Sequence, residues 1–261
     1  MPEKHQYIFR SGEIFIQNNN TLPVEMPSEF DKWISDSMDL NLFGTEAHVV
    51  LLDGDGSKQA VIPDASWIRL RSIFAATDIN LSSISSSAAR ALGIVNWHHV
   101  TRFCSRCGAS LVDSTTEIAR ICPGCKAIVY PRLSPAVIVA VEKDGKILLA
   151  RHSERNQDMY SCLAGFLEHG ETLEECVARE VYEEAHLEIQ NIRYVGSQSW
   201  PFPDQFMIAF RADWKAGEIS VDPSELLEAH WFDKDHLPNT PMPGTVAWNL
   251  IHDVFDSMSK K

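Results

Sequence analysis

The clearest helical pattern in this 261-residue chain is the recurrence of Leu173, Cys176, Val177 and Val181, which predicts a helix from about Thr172 to Ala185. Glu180 and Glu184 are four residues apart on that helix, and at about 100° per residue they fall on the stripe of Leu173 and Val177. Glu183 lies one turn from Glu180. Two acids therefore continue the apolar face. Elsewhere the pattern is of short apolar runs cut by turn residues. Tyr7-Ile8-Phe9, Ile14-Phe15-Ile16 and His48 to Leu52 alternate with Ser11-Gly12, Asn18-Asn19-Asn20 and Asp53-Gly54-Asp55-Gly56, predicting a small β-rich domain over residues 1–98. Asp53 to Gly56 lacks the later ligands of a calcium loop and reads as a hairpin turn. Ser86 to Leu92 reads as a helix stopped by Gly93.

Pro131 and Pro135 mark a linker into a second large unit, residues 131–261. There Ala136–Val141 and Lys146–Ala150 are strands joined by a Lys143-Asp144-Gly145 hairpin turn. Leu163 to Phe166 leads into the acidic helix. Ile192–Ser199 and Gln205–Ala212 read as further strands, and a last helix spans about Val246 to Met258. Strands before and after one helix, with a closing helix, suit an α/β/α sandwich on a mixed sheet.

Composition narrows the classes. Hydrophobic residues make up 44% and charged residues 23%, ordinary for a soluble globular protein. The longest apolar run, Ala136 to Val141, is too short to span a bilayer, and MPEKHQYIFR lacks the apolar core of a signal peptide, so a cytoplasmic location and no membrane partner are expected. The net charge of −13 removes the bulk positive field that drives non-specific nucleic-acid coating.

Four of the six cysteines form Cys104-x-x-Cys107 and Cys122-x-x-Cys125, with fourteen residues between the pairs. A redox pair and disulfides are the rivals. Two short Cys-x-x-Cys turns in a chain expected to be cytosolic favour one structural Zn²⁺ held by Cys104, Cys107, Cys122 and Cys125 in a ribbon over residues 99–130. Cys162 and Cys176 stand alone and read as buried thiols.

Clustered glutamates are most often a solvated helix face. Carboxylates crowded on an apolar stripe instead repel one another unless one is protonated or a hard cation joins them. Trp200-Pro201-Phe202-Pro203 is a stiff aromatic segment, because each proline restricts itself and its predecessor. It is suited to stacking on a flat ring or to packing as core.

The stretch Gly165, five residues, Glu171, seven residues, Arg179-Glu180-Val181-Tyr182-Glu183-Glu184 resembles the Nudix box. Ser197-Gln198-Ser199-Trp200-Pro201-Phe202-Pro203-Asp204-Gln205 resembles the SQPWPFPxS signature of the NADH pyrophosphatase and NAD-capped RNA hydrolase subfamily. The order of β-rich domain, zinc ribbon and Nudix domain is also that of the subfamily.

The resemblance implies the Nudix sandwich fold and catalytic Mg²⁺ or Mn²⁺, more than one ion. The ligands implied are Glu180, Glu184, Glu225 and the Ala164 carbonyl, with Glu183 or Glu184 as the general base. Glu225 could equally be an acid that opens a helix. Substrate contacts are implied at Glu117, Tyr130, Gln198, Ser199, Trp200, Pro201, Phe202, Pro203, Asp204, Gln205 and Ala247, with Phe166 a further stacking candidate. Arg179 is expected to pair with Glu171 as a brace that leaves the catalytic acids free.

The implied reaction cleaves the pyrophosphate of NAD(H) to nicotinamide mononucleotide and AMP, or removes NAD caps from RNA 5′ ends, in a homodimer whose aromatic loop serves a shared site. The alternatives are hydrolysis of ADP-ribose or a dinucleoside polyphosphate, and a non-catalytic nucleotide or RNA sensor. Three positions depart from the signatures: Ser199 for proline, Gln205 for serine, and His186 for the glycine after the box helix. A positive φ at His186 would cost about 1 kcal/mol.

Overall fold

The computed structural model describes residues 4–54, 62–153 and 158–258, in two compact units. The first comprises residues 1–133 with Trp200–Asp204, and the second residues 134–199 with 205–261. The predicted hairpin turn at Asp53 to Gly56 lies in part outside the described residues.

In the first unit, β1 (His5–Arg10), β2 (Glu13–Gln17), β3 (Ile34–Leu42), β4 (Thr45–Leu52) and β5 (Ala65–Arg69) form a sheet in the order β3-β4-β1-β2-β5. Alternation along the strands divides the core. Tyr7, Phe9, Ile14 and Ile16 face one cluster, while Ile8, Phe15, Val50 and Leu52 face another with Phe30. The first cluster is closed by α1 (Ile79–Val100), whose N-terminus is capped by the Asp78 carboxylate accepting from the Asn80 and Leu81 amides.

This helix corrects the expected stop at Gly93. It continues because Ile94, Val95 and Trp97 prolong its buried face, and that burial outweighs the roughly 1 kcal/mol a mid-helix glycine costs. Strands β6 (Val112–Asp113), β7 (Arg120–Ile121) and β8 (Ile128–Val129) make the ribbon.

In the second unit, β9 (Ser134–Lys143) and β10 (Lys146–His152) are joined at Asp144-Gly145, both with positive φ as a two-residue hairpin requires. Pro135 lies within β9, not in a linker before it. Then come β11 (Tyr160–Ser161), β12 (Leu163–Phe166), α2 (Leu173–Ala185), β13 (Glu188–Trp200), β14 (Gln205–Ala216), β15 (Leu226–Phe232) and α3 (Val246–Met258).

The sheet is mixed: β14 runs parallel to β9, and β10 and β12 run antiparallel to it. Val137, Val139 and Val141 of β9 pack on one side with Cys176, Val177 and Val181 of α2. Ile138 and Ala140 pack on the other with Leu250, Ile251 and Val254 of α3. The unit is the expected α/β/α sandwich. Among the described residues no helix is long and apolar enough to cross a membrane.

Candidate active site

The α2 helix starts where its sequence dictates. Thr172 accepts from the Glu175 amide, and the Glu175 carboxylate accepts from the Thr172 amide, a capping box. Cys176, Val177 and Val181 are fully buried, and on the same stripe Glu180 is 8% and Glu184 only 2% exposed. The solvated-face reading therefore fails for these two, whereas Glu183 is exposed.

Burial, together with the charges of Glu180, Glu225 and Glu183, pushes the Glu184 carboxyl up to about 8. Glu184 Oε2 is buried without a hydrogen-bond partner among the described residues. Burial also raises Glu180, against the pull of Arg179. The charge of Glu225 raises both acids.

The position of Glu225 comes from the far end of α2. The Ser220 and Asp222 amides donate to the Ala185 and Glu184 carbonyls at 3.0 and 3.2 Å, tying the following loop to the helix terminus. The Ser153 amide, just past β10, donates to the Glu225 carbonyl at 2.9 Å. Asp222 accepts from the Ser224 amide and hydroxyl, so Glu225 sits in a turn before β15 and opens no helix.

His186 has φ 55° and ψ 34°, the left-handed cap that the family glycine would adopt. Its Nδ1 donates to the Ser220 carbonyl at 2.8 Å, and its ring lies 5.5 Å from Tyr182. The histidine thus recovers in loop anchoring what its Cβ costs in backbone strain.

Arg179 braces Glu171 as expected, with Nε at 3.0 Å and Nη2 at 2.7 Å from the two carboxylate oxygens, and Nη2 also donates to the Phe166 carbonyl. Arg179, then the Glu168 amide, holds Glu171 down at about 2. The expectation that the brace leaves the catalytic acids free needs correction. Nη1 also donates to Glu180 at 2.9 Å and to Glu183 at 3.0 Å, because all three acids lie within reach of one guanidinium fork.

On β12, the Gly165 Cα faces the Glu180 carboxylate so closely that a Cβ there would stand 1.8 to 2.1 Å from it. Ala164, the residue before, is thereby next to the acid cluster. Crowded carboxylates, with one buried oxygen unsatisfied, are the donor chemistry that suits a divalent cation of the Mg²⁺ class.

The other expected site residues divide. Phe166 is half exposed at the end of β12, and Ala247 is buried at the start of α3. Gln198 is occupied structurally: its Nε2 donates to the Gly244 carbonyl and its Oε1 accepts from the Val246 amide, closing the first turn of α3. Ser199 is the penultimate residue of β13, and Gln205 begins β14. Trp200 to Asp204 fold with the first unit, where Trp200 stacks on Phe74 and meets Phe202 edge-on, and Asp204 pairs with Arg132. Tyr130 donates to Glu117 at 3.3 Å beside the ribbon.

A set the sequence did not reveal lies on the strands flanking Glu225. Tyr160 donates to Glu228, which also pairs with Arg151 at 3.0 Å. These residues are distant in sequence and meet only because β10 pairs with both β11 and β15.

In the ribbon, Cys104 and Cys125 Sγ lie 3.6 Å apart and Cys107 and Cys122 Sγ 3.4 Å apart, and all four sulfurs fall within 4.8 Å of one another. Tetrahedral zinc with bonds of about 2.3 Å needs edges of roughly 3.8 Å, so the thiols fit a structural Zn²⁺. The isolated Cys162 and Cys176 thiols are buried as expected, and burial pushes both up to about 12.

Comparison with known proteins agrees with this geometry. Residues 131–252 match the NUDIX domain, and residues 100–130 match the NADH pyrophosphatase zinc ribbon domain. The chain is similar to the NAD-capped RNA hydrolase NudC of Pectobacterium atrosepticum, 49% identical over 166 residues, 64% of each chain. The NudC of Escherichia coli O1:K1 is 47% identical over 166 residues, 64% of this chain and 65% of that protein. The matched stretch thus spans slightly less than two thirds of these relatives' length. A solved NUDIX hydrolase from Nitrosomonas europaea superposes with a TM-score of 0.50 at 27% identity, covering 61% of this chain and 92% of that one.

Proposed function

Because residues 131–252 match the NUDIX domain and residues 100–130 the zinc ribbon domain of NADH pyrophosphatases, we propose that the chain is a Nudix hydrolase that cleaves the pyrophosphate bond of NAD(H), as the free dinucleotide or as the 5′ cap of RNA. The observation that carries this reading is the buried Glu184 carboxyl with its unsatisfied oxygen, gathered with Glu180 and Glu225 beside Gly165. In this reading Glu180, Glu184, Glu225 and the Ala164 carbonyl hold Mg²⁺ or Mn²⁺, more than one ion, which when bound would offset phosphate charge and acidify a water. Glu183 stands in solvent, with one Arg179 N–H on one of its oxygens, and takes the proton of the attacking water. Arg179 and Glu171 set the angle of the helix face from which these acids project.

In the second unit the half-exposed Phe166 is the flat surface this reading assigns to a substrate ring, with Gln205 and Ala247 as further contacts; Trp200, Phe202, Glu117 and Tyr130 of the first unit are assigned to substrate on the resemblance. Gln198 would act through the α3 terminus it holds. A homodimer and a cytosolic location, where thiolates stay reduced for zinc, belong to the same proposal.

Incubation of the purified protein with NADH and with a 5′-NAD oligoribonucleotide, with and without Mg²⁺ or Mn²⁺, should release nicotinamide mononucleotide and leave AMP or a 5′-monophosphate end. Intact NADH and cap, with turnover of ADP-ribose or a dinucleoside polyphosphate, would replace the substrate assignment. A second expectation concerns Gly165→Ala. The added methyl displaces the Glu180 carboxylate, so kcat falls on the order of 10²-fold with little change in melting temperature. Unchanged kcat would remove Glu180 from the reaction.

A further inference from the structure

The first unit contains a cavity of 610 Å³ lined by the Ser11-Gly12 turn, Glu13, Arg69, Arg71, Leu92, Asn96 and the Pro201–Pro203 segment. Its charge runs against that of the chain. In a molecule of net charge −13, two arginines enter this cavity, and its lining acid, Glu13, is bound to Arg10 at 3.1 Å. Glu13 is the cross-strand neighbour of Arg69 and would neutralise it if Arg10 did not hold it.

Among the described residues neither Arg69 nor Arg71 forms an ion pair. Arg71 is positioned all the same, with its guanidinium carbon 5.3 Å from the centre of the Phe202 ring. Stacking occupies the face of a guanidinium and leaves its N–H edges free to donate. Phe202 is itself held between Arg71 and Trp200, whose ring centroid is 5.1 Å away. Asn96, half-buried on α1, also lines the cavity.

We propose that this cavity binds a nucleotide phosphate, with Arg69 and Arg71 as its charge partners and Asn96 as a neutral donor. Paired guanidinium edges match phosphate oxygens in geometry as well as charge. The cavity also falls in the size range of small-molecule sites. The ligand has two sources, a free mononucleotide or a phosphate of an RNA chain. The proposal shares Phe202 with the catalytic reading but needs no pyrophosphate cleavage, so the two can fail separately.

The test uses ligands that contain no pyrophosphate bond: AMP in one arm, and a fluorescent oligoribonucleotide of six residues with a 5′-hydroxyl in the other. Binding is measured across a salt series to the full chain and to the Arg69→Gln/Arg71→Gln and Arg69→Lys/Arg71→Lys variants. Binding in either arm that weakens at least about tenfold in the glutamine variant supports the site and identifies the source. For the oligonucleotide, the slope of log K against log salt should fall by about 1.4, the value for two phosphate contacts on a single strand. The lysine variant should keep most of that slope. No binding in either arm at millimolar ligand, or equal binding by the glutamine variant, overturns the proposal.

Discussion

Glu184→Gln is expected to lower kcat on the order of 10³-fold while making the protein more resistant to heat when no Mg²⁺ or Mn²⁺ is added. Both effects come from one buried charge. In the folded chain the Glu184 carboxyl is raised to about 8 from an ordinary 4.5, so the folded state holds a proton that the unfolded state has lost. Stability from this group is fully present below about pH 4.5, falls as pH rises, and is gone above about pH 8. The loss is on the order of a few kcal/mol. A neutral amide abolishes the dependence, so the variant should melt well above the wild type at pH 8 and close to it at pH 5. The same amide cannot offer a second anionic oxygen to a cation, and several kcal/mol of transition-state stabilisation disappear with it. Melting curves from pH 5 to 8 and steady-state kinetics read the two effects separately. A wild-type melting temperature that does not change over that range, or a glutamine variant with normal kcat, would contradict the assignment.

Removing zinc should unfold the ribbon entirely. The core of this segment amounts to Cys104, Leu111 and Cys122, with Ala109, Cys125, Ala127 and Val129 packed against it, and its strands are two residues each. So little apolar area cannot offset the entropy of ordering the loops, and four-thiolate zinc sites hold such segments folded outright. In the folded ribbon the four thiols hold their protons unequally. Hydrogen bonds led by the Cys125 amide draw Cys122 down to about 6. Cys107 is pushed up to about 12 by its neighbouring thiols, despite the pull of the Ala109 amide. Zinc requires all four as thiolates, so binding should weaken steeply as pH falls. Metal analysis of the native chain should give one zinc, and Cys122→Ser none. Chelation should erase the amide protection of residues 104–129 in hydrogen exchange. Protection that persists after complete zinc loss would show that the ribbon is held by packing.

Much of this could be read along the chain, for reasons that lie in periodicity. The α2 helix, its acid positions, the cysteine spacing, the β9–β10 hairpin and strands β1, β2 and β4 are each set by residues close in sequence, where the side-chain period and turn chemistry act directly. Strand β3 escaped because Ile34 to Leu42 is mostly polar or exposed, and β5 because Ala65 to Arg69 is short and has no fully buried position; their pairing with β4 and β2 defines them. The stop expected at Gly93 failed because tertiary burial outweighed a local propensity.

The box acids show the same division most sharply. Spacing alone places Glu180 and Glu184 on the apolar stripe. That Glu184 is sealed from water with an empty oxygen, that Glu225 arrives through a loop tied to the helix terminus, and that Arg179 reaches three acids at once are outcomes of chain segments distant in sequence meeting in space. His186 sits on the same boundary. Its departure from glycine was visible from the start, but its compensation required Ser220, thirty-four residues away, to be in place. Sequence determined which side chains could do the chemistry; desolvation and charge crowding, which exist only in the folded packing, decided their state.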